Sequence, residues 1–220
     1  MNLRYFTFYI LLIICALELL LNSCTKESKL NLTIDTIVVA KIFQPDGLNG
    51  KDAIIESITP DQNSGISVHF TVFSWTNGGS FNTARALIEF DLSAIPVQTK
   101  IKSAKLSLYW VSYQNLTEQT GENAFSIYKI TQAWNESLVT WNNQPLTSNS
   151  NAVRVQKSIS INQSYTEIDV TALVQDMIDR PNENHGFMLK LDEEFPYKLV
   201  ILASSDYSVS SKRPKLVIEY

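Results

Sequence analysis

A protein that recognises sugars needs flat rings to meet the CH faces of a pyranose and bidentate side chains to meet its hydroxyls. Residues of both kinds stand outside the regular alternation of this chain. Trp75 closes an alternating run and leads into Thr76-Asn77-Gly78-Gly79-Ser80, where a ring can be presented to a ligand. Tyr109 and Tyr113 fall with Lys105 on the outward side of one expected strand, and Arg85 adds a guanidinium. The competing use of Trp75 is packing under its loop, and that of the tyrosines is cross-strand contact. Asp46, Asn49 and Asp52 are spaced as one loop could offer them to a hard cation, which takes about six to eight oxygens, so calcium is the one cofactor the composition brings into question.

Catalytic material is thin. The chain has 2 histidines, His69 in an alternating segment and His185 beside Gly186 in a turn, with nothing to make them converge. Asp192-Glu193-Glu194 is the one compact acidic run, and adjacent acids before Pro196 ordinarily face water rather than form the paired carboxylates of a glycosidase. With 7 glycines and no phosphate-loop, nucleophile-elbow or zinc-helix pattern, the reading is a non-enzyme. The net charge of -4, with no basic stripe among aromatics, excludes nucleic acid as a partner. An acidic polysaccharide would require Lys51, Arg85, Lys105, Lys212 and Arg213 to gather locally.

Residues 1–23 read as a bacterial lipoprotein signal. Arg4 supplies positive charge, Phe6 to Leu17 the apolar stretch, and Leu21-Asn22-Ser23-Cys24 the cleavage site, with Cys24 the lipidated residue. Two alternatives stay open. Tyr5 to Leu21 is at the short limit for a transmembrane helix and contains Glu18, and a plain secretory signal fits except that Asn22 is unusual near the cut. Thr25-Lys26-Glu27 resembles the lysine-then-acid tract that exports lipoproteins to the surface in Bacteroidetes-type bacteria. The expectation is an outer-membrane, lipid-anchored protein exposed at the cell surface, with residues 24–33 as tether. Cys15 leaves with the signal and Cys24 is acylated, so no thiol remains for a disulfide, a metal or a nucleophile.

The elements that must position these residues are strands. From Lys29 onward apolar residues recur every second position, with turn residues every ten or so, as in a sandwich or barrel, and the domain is expected to span 34–220. In 84–92, Ala86, Ile88, Phe90 and Leu92 share a side opposite Arg85, Glu89 and Asp91. In 104–113, Ala104, Leu106, Leu108 and Trp110 oppose Lys105, Ser107, Tyr109 and Tyr113, and the two strands are expected to pair through Ser93-Ala94-Ile95-Pro96. Further strands are expected at 34–42, 52–58, 66–75, 124–131, 164–170, 186–192, 198–204 and 214–220, with loops at 43–51, 76–83, 114–123 and 142–152. In 171–179 the spacing of Leu173, Val174, Met177 and Ile178 is helical, with Asp169 or Thr171 to cap it and Arg180-Pro181 to end it. The fold class is all-β, a jelly-roll-like antiparallel β-sandwich with one short helix.

Four separated stretches together resemble the DNRLRE domain, which overlaps carbohydrate-binding module family 96. They are Arg85-Ala86-Leu87-Ile88-Glu89-Phe90-Asp91-Leu92-Ser93 with Ile101 to Leu108; Ala133-Trp134-Asn135-Glu136-Ser137-Leu138-Val139-Thr140-Trp141-Asn142-Asn143-Gln144-Pro145; Ile168 to Val174 leading to Asn184-His185-Gly186-Phe187-Met188-Leu189; and Ala203-Ser204-Ser205-Asp206 with Arg213 to Ile218. Asp35-Thr36 matches the usual opening, and Asp46 to Gly50 is a loose version of the family's Asn/Gly-rich loop. The resemblance implies a non-catalytic jelly-roll module on secreted or surface proteins, and it places Trp134 and Trp141 in a structural signature. The function expected is carbohydrate binding. The rival is a structural or adhesive role against another surface protein, which a flat apolar patch or open strand edge would favour over an aromatic-lined strip.

Overall fold

A computed structural model describes residues 38–220. The signal, Cys24, the tether and Asp35-Thr36 lie outside the described residues. The strands are β1 (Ala40–Phe43), β2 (Lys51–Glu56), β3 (His69–Asn77), β4 (Ser80–Glu89), β5 (Ser103–Leu108), β6 (Phe125–Ile130), β7 (Thr147–Val155), β8 (Tyr165–Asp169), β9 (Phe187–Leu191), β10 (Lys198–Ala203) and β11 (Lys215–Glu219). One sheet has the order β1-β11-β5-β8; the other runs β10-β3-β4-β9-β6-β7, with β2 pairing β4. All named pairings are antiparallel. The chain is the all-β sandwich its alternation predicts. Between the sheets lie Ile54, Val72, Ala86, Ile88, Ile127, Leu189 and Val200 from the larger and Ala104, Leu106, Leu108, Leu216 and Ile218 from the smaller.

The helix α1 (Thr171–Asp179) forms where its spacing predicts, burying Leu173, Val174, Met177 and Ile178. The Asp169 carboxylate accepts from the Thr171 N–H at 3.0 Å and the Thr171 hydroxyl at 2.6 Å, occupying donors at the helix start. Thr171 Oγ1 in turn accepts the Ala104 N–H at 2.9 Å, tying the helix to β5. Gln175 receives the Ile101 N–H at 2.8 Å and donates to the Thr99 carbonyl at 3.1 Å, so the chain entering β5 is docked along the helix.

Four expectations are corrected. β4 and β5 are not neighbours. Ala86, Leu87 and Ile88 pair with β2 on one edge and β9 on the other, so β4 has no edge to offer there, and the connection carries buried Phe90, Leu92, Ile95 and Ile101 over to the other sheet. β5 stops at Leu108: its pairing with β8 shifts register after Leu106, Ser107 turns inward to accept the Glu167 N–H at 3.2 Å, and Trp110 instead bridges Leu202 on β10. The region 76–83 is a tight hairpin rather than a loop, because Gly78 and Gly79 take φ of +57° and +87°, the left-handed pair that a two-residue primed turn requires. Much of 142–152 belongs to β7, an edge strand that is polar from Thr147 to Asn151 and carries its inward apolar residues, Val153 and Val155, only at its end.

The larger sheet is also buried on its far side. Ala53, Ile55, Leu87, Ile130 and Met188 are covered by Val139, Trp134 and Trp141, and Leu199, Ile201 and Ala203 by Trp110, Val111, Tyr113 and Leu116. Leu106, fully buried between the sheets, is the most direct test of the sandwich: Leu106→Ala is expected to lower unfolding stability by about 2–5 kcal/mol in urea titrations.

Candidate functional site

The β3–β4 turn sets Trp75 opposite Asn82, two pairs from the closing Asn77–Ser80. On the other edge β10 pairs Lys198 with Ser74, which brings Tyr197 beside Trp75. The two rings meet edge to face, centroids 5.2 Å apart at 88°, and stay 40 % and 59 % exposed. Facing this hairpin is the segment 110–123. Two buried amides hold it on β10 in place of a strand. Gln119 accepts the Ile201 N–H at 2.9 Å and donates to the Gln163 carbonyl at 2.8 Å, while Asn123 donates to the Leu199 carbonyl at 2.9 Å. Thr120 pairs with Leu199 through both backbone bonds at 2.9 Å.

Between hairpin and segment lies a cleft of about 530 Å³. Phe73, Leu116 and Leu199 give it an apolar surface, Trp75 forms part of its wall, and Glu56, Asn77, Asn82, Asn115, Thr117 and Glu118 supply polar atoms. Asn82 Nδ2 donates to Glu56 Oε2 at 3.1 Å, so that amide and carboxylate are mutually oriented. An apolar surface with a few convergent polar groups is the usual make-up of a small-ligand site, and the volume lies in the usual range.

Of the five residues singled out for sugar, Trp75 alone lines this cleft. Arg85 is spent elsewhere: Nε and Nη2 reach the two oxygens of Glu194 at 2.8 Å each, Nη1 donates to Gln144 at 2.7 Å, and the guanidinium lies 4.6 Å from the Trp141 ring centroid. Lys105 is ion-paired with Asp169 at 2.8 Å in the smaller sheet. The Tyr109 carbonyl accepts the Ala203 N–H at 2.9 Å, and Tyr113 stacks on His69 at 4.1 Å, so the three residues do not share a strand face. Sequence reasoning passed over Tyr197, Asn82, Glu56 and Glu118. Tyr197 carried one local signal, a large ring in a turn after Pro196; the others are ordinary polar residues until the fold gathers them.

The three residues named for calcium do different work. Asp46 Oδ1 accepts from the Leu48 and Asn49 N–H groups and from Asn49 Nδ2, at 3.1, 3.1 and 3.0 Å, which holds its carboxyl below the usual range. The Asn49 amide therefore donates into the turn. Asp52 is 1 % exposed and accepts the Ser205 N–H at 2.8 Å, and its own N–H donates to Glu136 Oε1 at 2.8 Å. Gly47 and Gly50 permit this approach, since a Cβ on either would overlap the side chains of Asp206 and Ser205. Among the described residues no group of three His, Cys, Asp or Glu is placed to hold a metal ion.

Asp52, Glu136 and Asp206 form an acidic knot instead. Burial pushes Asp52 up to about 7, with Asp206 and Glu136 adding to the shift and Ser205 opposing it. Burial also raises Glu136 and Asp206. The run Asp192-Glu193-Glu194 is paired off residue by residue with Arg154, Lys198 and Arg85. His69 is held down at about 4 by burial, and the His185 carbonyl accepts from Trp134 Nε1 at 2.9 Å.

Two packed antiparallel sheets with an aromatic-flanked cleft between a hairpin and a pinned segment define a β-sandwich module. The model for carbohydrate-binding module family 96 matches residues 48–220, and the chain belongs to that family. No curated protein matches the chain.

The acidic knot sets a pH dependence. The unfolded chain releases the Asp52 proton near pH 4, whereas the folded protein keeps it until about 7, so this group's stabilisation is whole below about pH 4 and is lost as pH rises towards 7. His69 acts oppositely between about 4 and 6.5, being neutral in the fold and protonated when unfolded, and comparing a variant with the wild type cancels it. In thermal unfolding followed by circular dichroism, the midpoint of Asp52→Asn minus that of the wild type is expected to climb from pH 5 to 8; a constant difference would show that Asp52 is ionised throughout.

Proposed function

We propose that this protein is a non-catalytic, surface-anchored lipoprotein that binds carbohydrate in the cleft beside Trp75. The observation that carries the reading is the exposed Trp75 ring, steadied edge-on by Tyr197 at the mouth of a cleft whose remaining polar groups are amides, hydroxyls and carboxylates. A pyranose stacks its CH face on such a ring, and its hydroxyls donate to Glu56 and Glu118 or exchange hydrogen bonds with Asn77, Asn82 and Asn115. Membership of a family of carbohydrate-binding modules supports the same ligand class. An exposed ring in the cleft wall with a second exposed ring set against it favours glycan over a flat protein partner.

In this reading the site positions a ligand rather than reacting with it. The most strongly perturbed carboxyl, Asp52, is buried away from solvent and contacts backbone and Ser205 rather than the cleft. The anchoring half of the proposal rests on Leu21-Asn22-Ser23-Cys24, with the peptidase leaving Cys24 as the acylated N-terminus and the outer membrane as the destination.

Each half has its own measurement. Burying an aromatic ring contributes about 1.5–3 kcal/mol, and about 1.4 kcal/mol is tenfold, so Trp75→Ala is expected to weaken binding to whichever polysaccharide a glycan array identifies by about tenfold or more, with unchanged thermal unfolding. Unaltered affinity would move the site elsewhere. Cys24→Ser is expected to abolish incorporation of radiolabelled palmitate in a bacterial host, and persistence of the label would discard the anchor.

A further inference from the structure

The chain has two asparagines followed by glycine, Asn49-Gly50 and Asn77-Gly78. Glycine has no Cβ to shield its backbone nitrogen, so that nitrogen can reach the side-chain carbonyl carbon of the asparagine before it. From their surroundings we infer that the folded protein carries a self-modification site at Asn77, where the side-chain amide is lost through a succinimide, and that the fold protects Asn49 from the same reaction. Both side chains are exposed, so access of water does not separate them. Hydrogen bonding does. Asn49 Nδ2 donates to Asp46 Oδ1 at 3.0 Å, and the Gly50 N–H, whose nitrogen would be the nucleophile, donates to the Asp46 carbonyl at 2.5 Å. That turn is also packed from behind: a Cβ at Gly50 would lie 2.1 Å from Ser205 Oγ. Asn77 has none of these restraints. Neither its side-chain amide nor the Gly78 N–H has a hydrogen-bond partner among the described residues, and a Cβ at Gly78 would meet nothing within 4 Å. Asn77–Ser80 is the closing rung of its hairpin, and residues 77–80 are all exposed.

Water is the only co-reactant. The deprotonated Gly78 nitrogen attacks Asn77 Cγ, the bond from Cγ to the amide nitrogen breaks, and that nitrogen leaves as ammonia, carrying the equivalent of the proton that Gly78 gave up. Water then opens the succinimide ring at one of its two carbonyls. Cleavage between Cγ and the Gly78 nitrogen leaves aspartate, whereas cleavage between the Asn77 carbonyl carbon and that nitrogen leaves an isoaspartyl linkage, with the main chain rerouted through Cγ and one methylene longer. Nothing is oxidised or reduced. Asn77 is part of the cleft wall, and its rung lies two pairs from Trp75. An isoaspartyl linkage there exchanges an amide for a carboxylate and lengthens the chain where a two-residue primed turn has no slack. The reaction needs no ligand and is independent of what the cleft binds.

The test compares the two asparagines within one molecule. The full chain is incubated folded in mildly alkaline buffer and, in parallel, unfolded in guanidinium chloride. Peptide mass spectrometry follows Asn49 and Asn77 separately, with isoaspartyl methyltransferase labelling to identify the rerouted linkage. In the folded chain Asn77 is expected to convert about tenfold or more faster than Asn49, because reaction at Asn49 must first break two hydrogen bonds. Unfolding is expected to bring the two rates together, chiefly by accelerating Asn49. Asp46→Ala, with thermal unfolding to confirm the fold, is expected to accelerate Asn49 and leave Asn77 unchanged. Equal rates in the folded chain, or conversion of Asn49 ahead of Asn77, overturns the inference. So does a rate ratio that survives unfolding, which would trace the difference to the preceding residues Leu48 and Thr76 rather than to the fold.

Discussion

The larger sheet has no side that can face water. Ile54 and Ile55, and Leu87 and Ile88, are neighbours in strands where successive side chains point to opposite faces, yet all four are buried. Both faces therefore need an apolar cover. The smaller sheet serves one, and two long connections, 110–123 and 131–146, serve the other. This demand determines where most of the tryptophans go. Trp134 and Trp141 lie over Ala53, Leu87 and Met188, and Trp110 lies over β10, so three of the 4 tryptophans are cover. The cations beside them are fastened to that cover: Lys51 sits 4.5 Å from the Trp134 ring centroid and pairs with Glu89, and Arg85 sits on Trp141 and pairs with Glu194.

The cleft exists where the cover stops short. Gln119 and Asn123 hold the segment 110–123 on β10 by imitating a strand, but the segment does not reach the tip of the β3–β4 hairpin, and Trp75 and Tyr197 are left at the margin. Rigidity follows from the same bonds. A buried amide that satisfies backbone groups on two segments has no alternative partner of equal quality, so the walls are built before any ligand arrives. The electrostatic character of the site is likewise a remainder: Lys51 and Arg85 are consumed in clamping the Trp-rich cover, and the polar groups that line the cleft are carboxylates, amides and hydroxyls.

At another end of the larger sheet, Asp52 draws together the glycine-containing turn at 46–50, the Trp-rich cover through Glu136 and the loop after β10 through Ser205. A buried carboxyl with acidic neighbours is tolerable because it keeps its proton to about pH 7, and as a neutral group it costs far less to bury than an ion. The oxygen-rich composition of 46–52 that points to calcium in the sequence is used for a turn and for this cross-link, both internal to the fold.

By itself the sequence determined what is local. Period-two alternation marked ten of the strands, the three-to-four spacing of Leu173, Val174, Met177 and Ile178 with Asp169 ahead of it marked the helix, and the Trp134–Trp141 stretch marked the family. Each is a statement about neighbours along the chain, which steric and hydrogen-bond rules enforce wherever the segment ends up. Tertiary structure alone decided which strands meet and which faces are covered. β7 is polar from Thr147 to Asn151, Leu87 looks solvent-facing until Trp141 is laid over it, and Ser107 reads as exposed until a register shift turns it inward. The cleft is the extreme case. Glu56, Trp75, Asn82, Glu118 and Tyr197 come together only because sheet pairing and two buried amides overcome the entropy of closing long loops, and no pattern in any one segment records that distant partners will supply the bonds to do so.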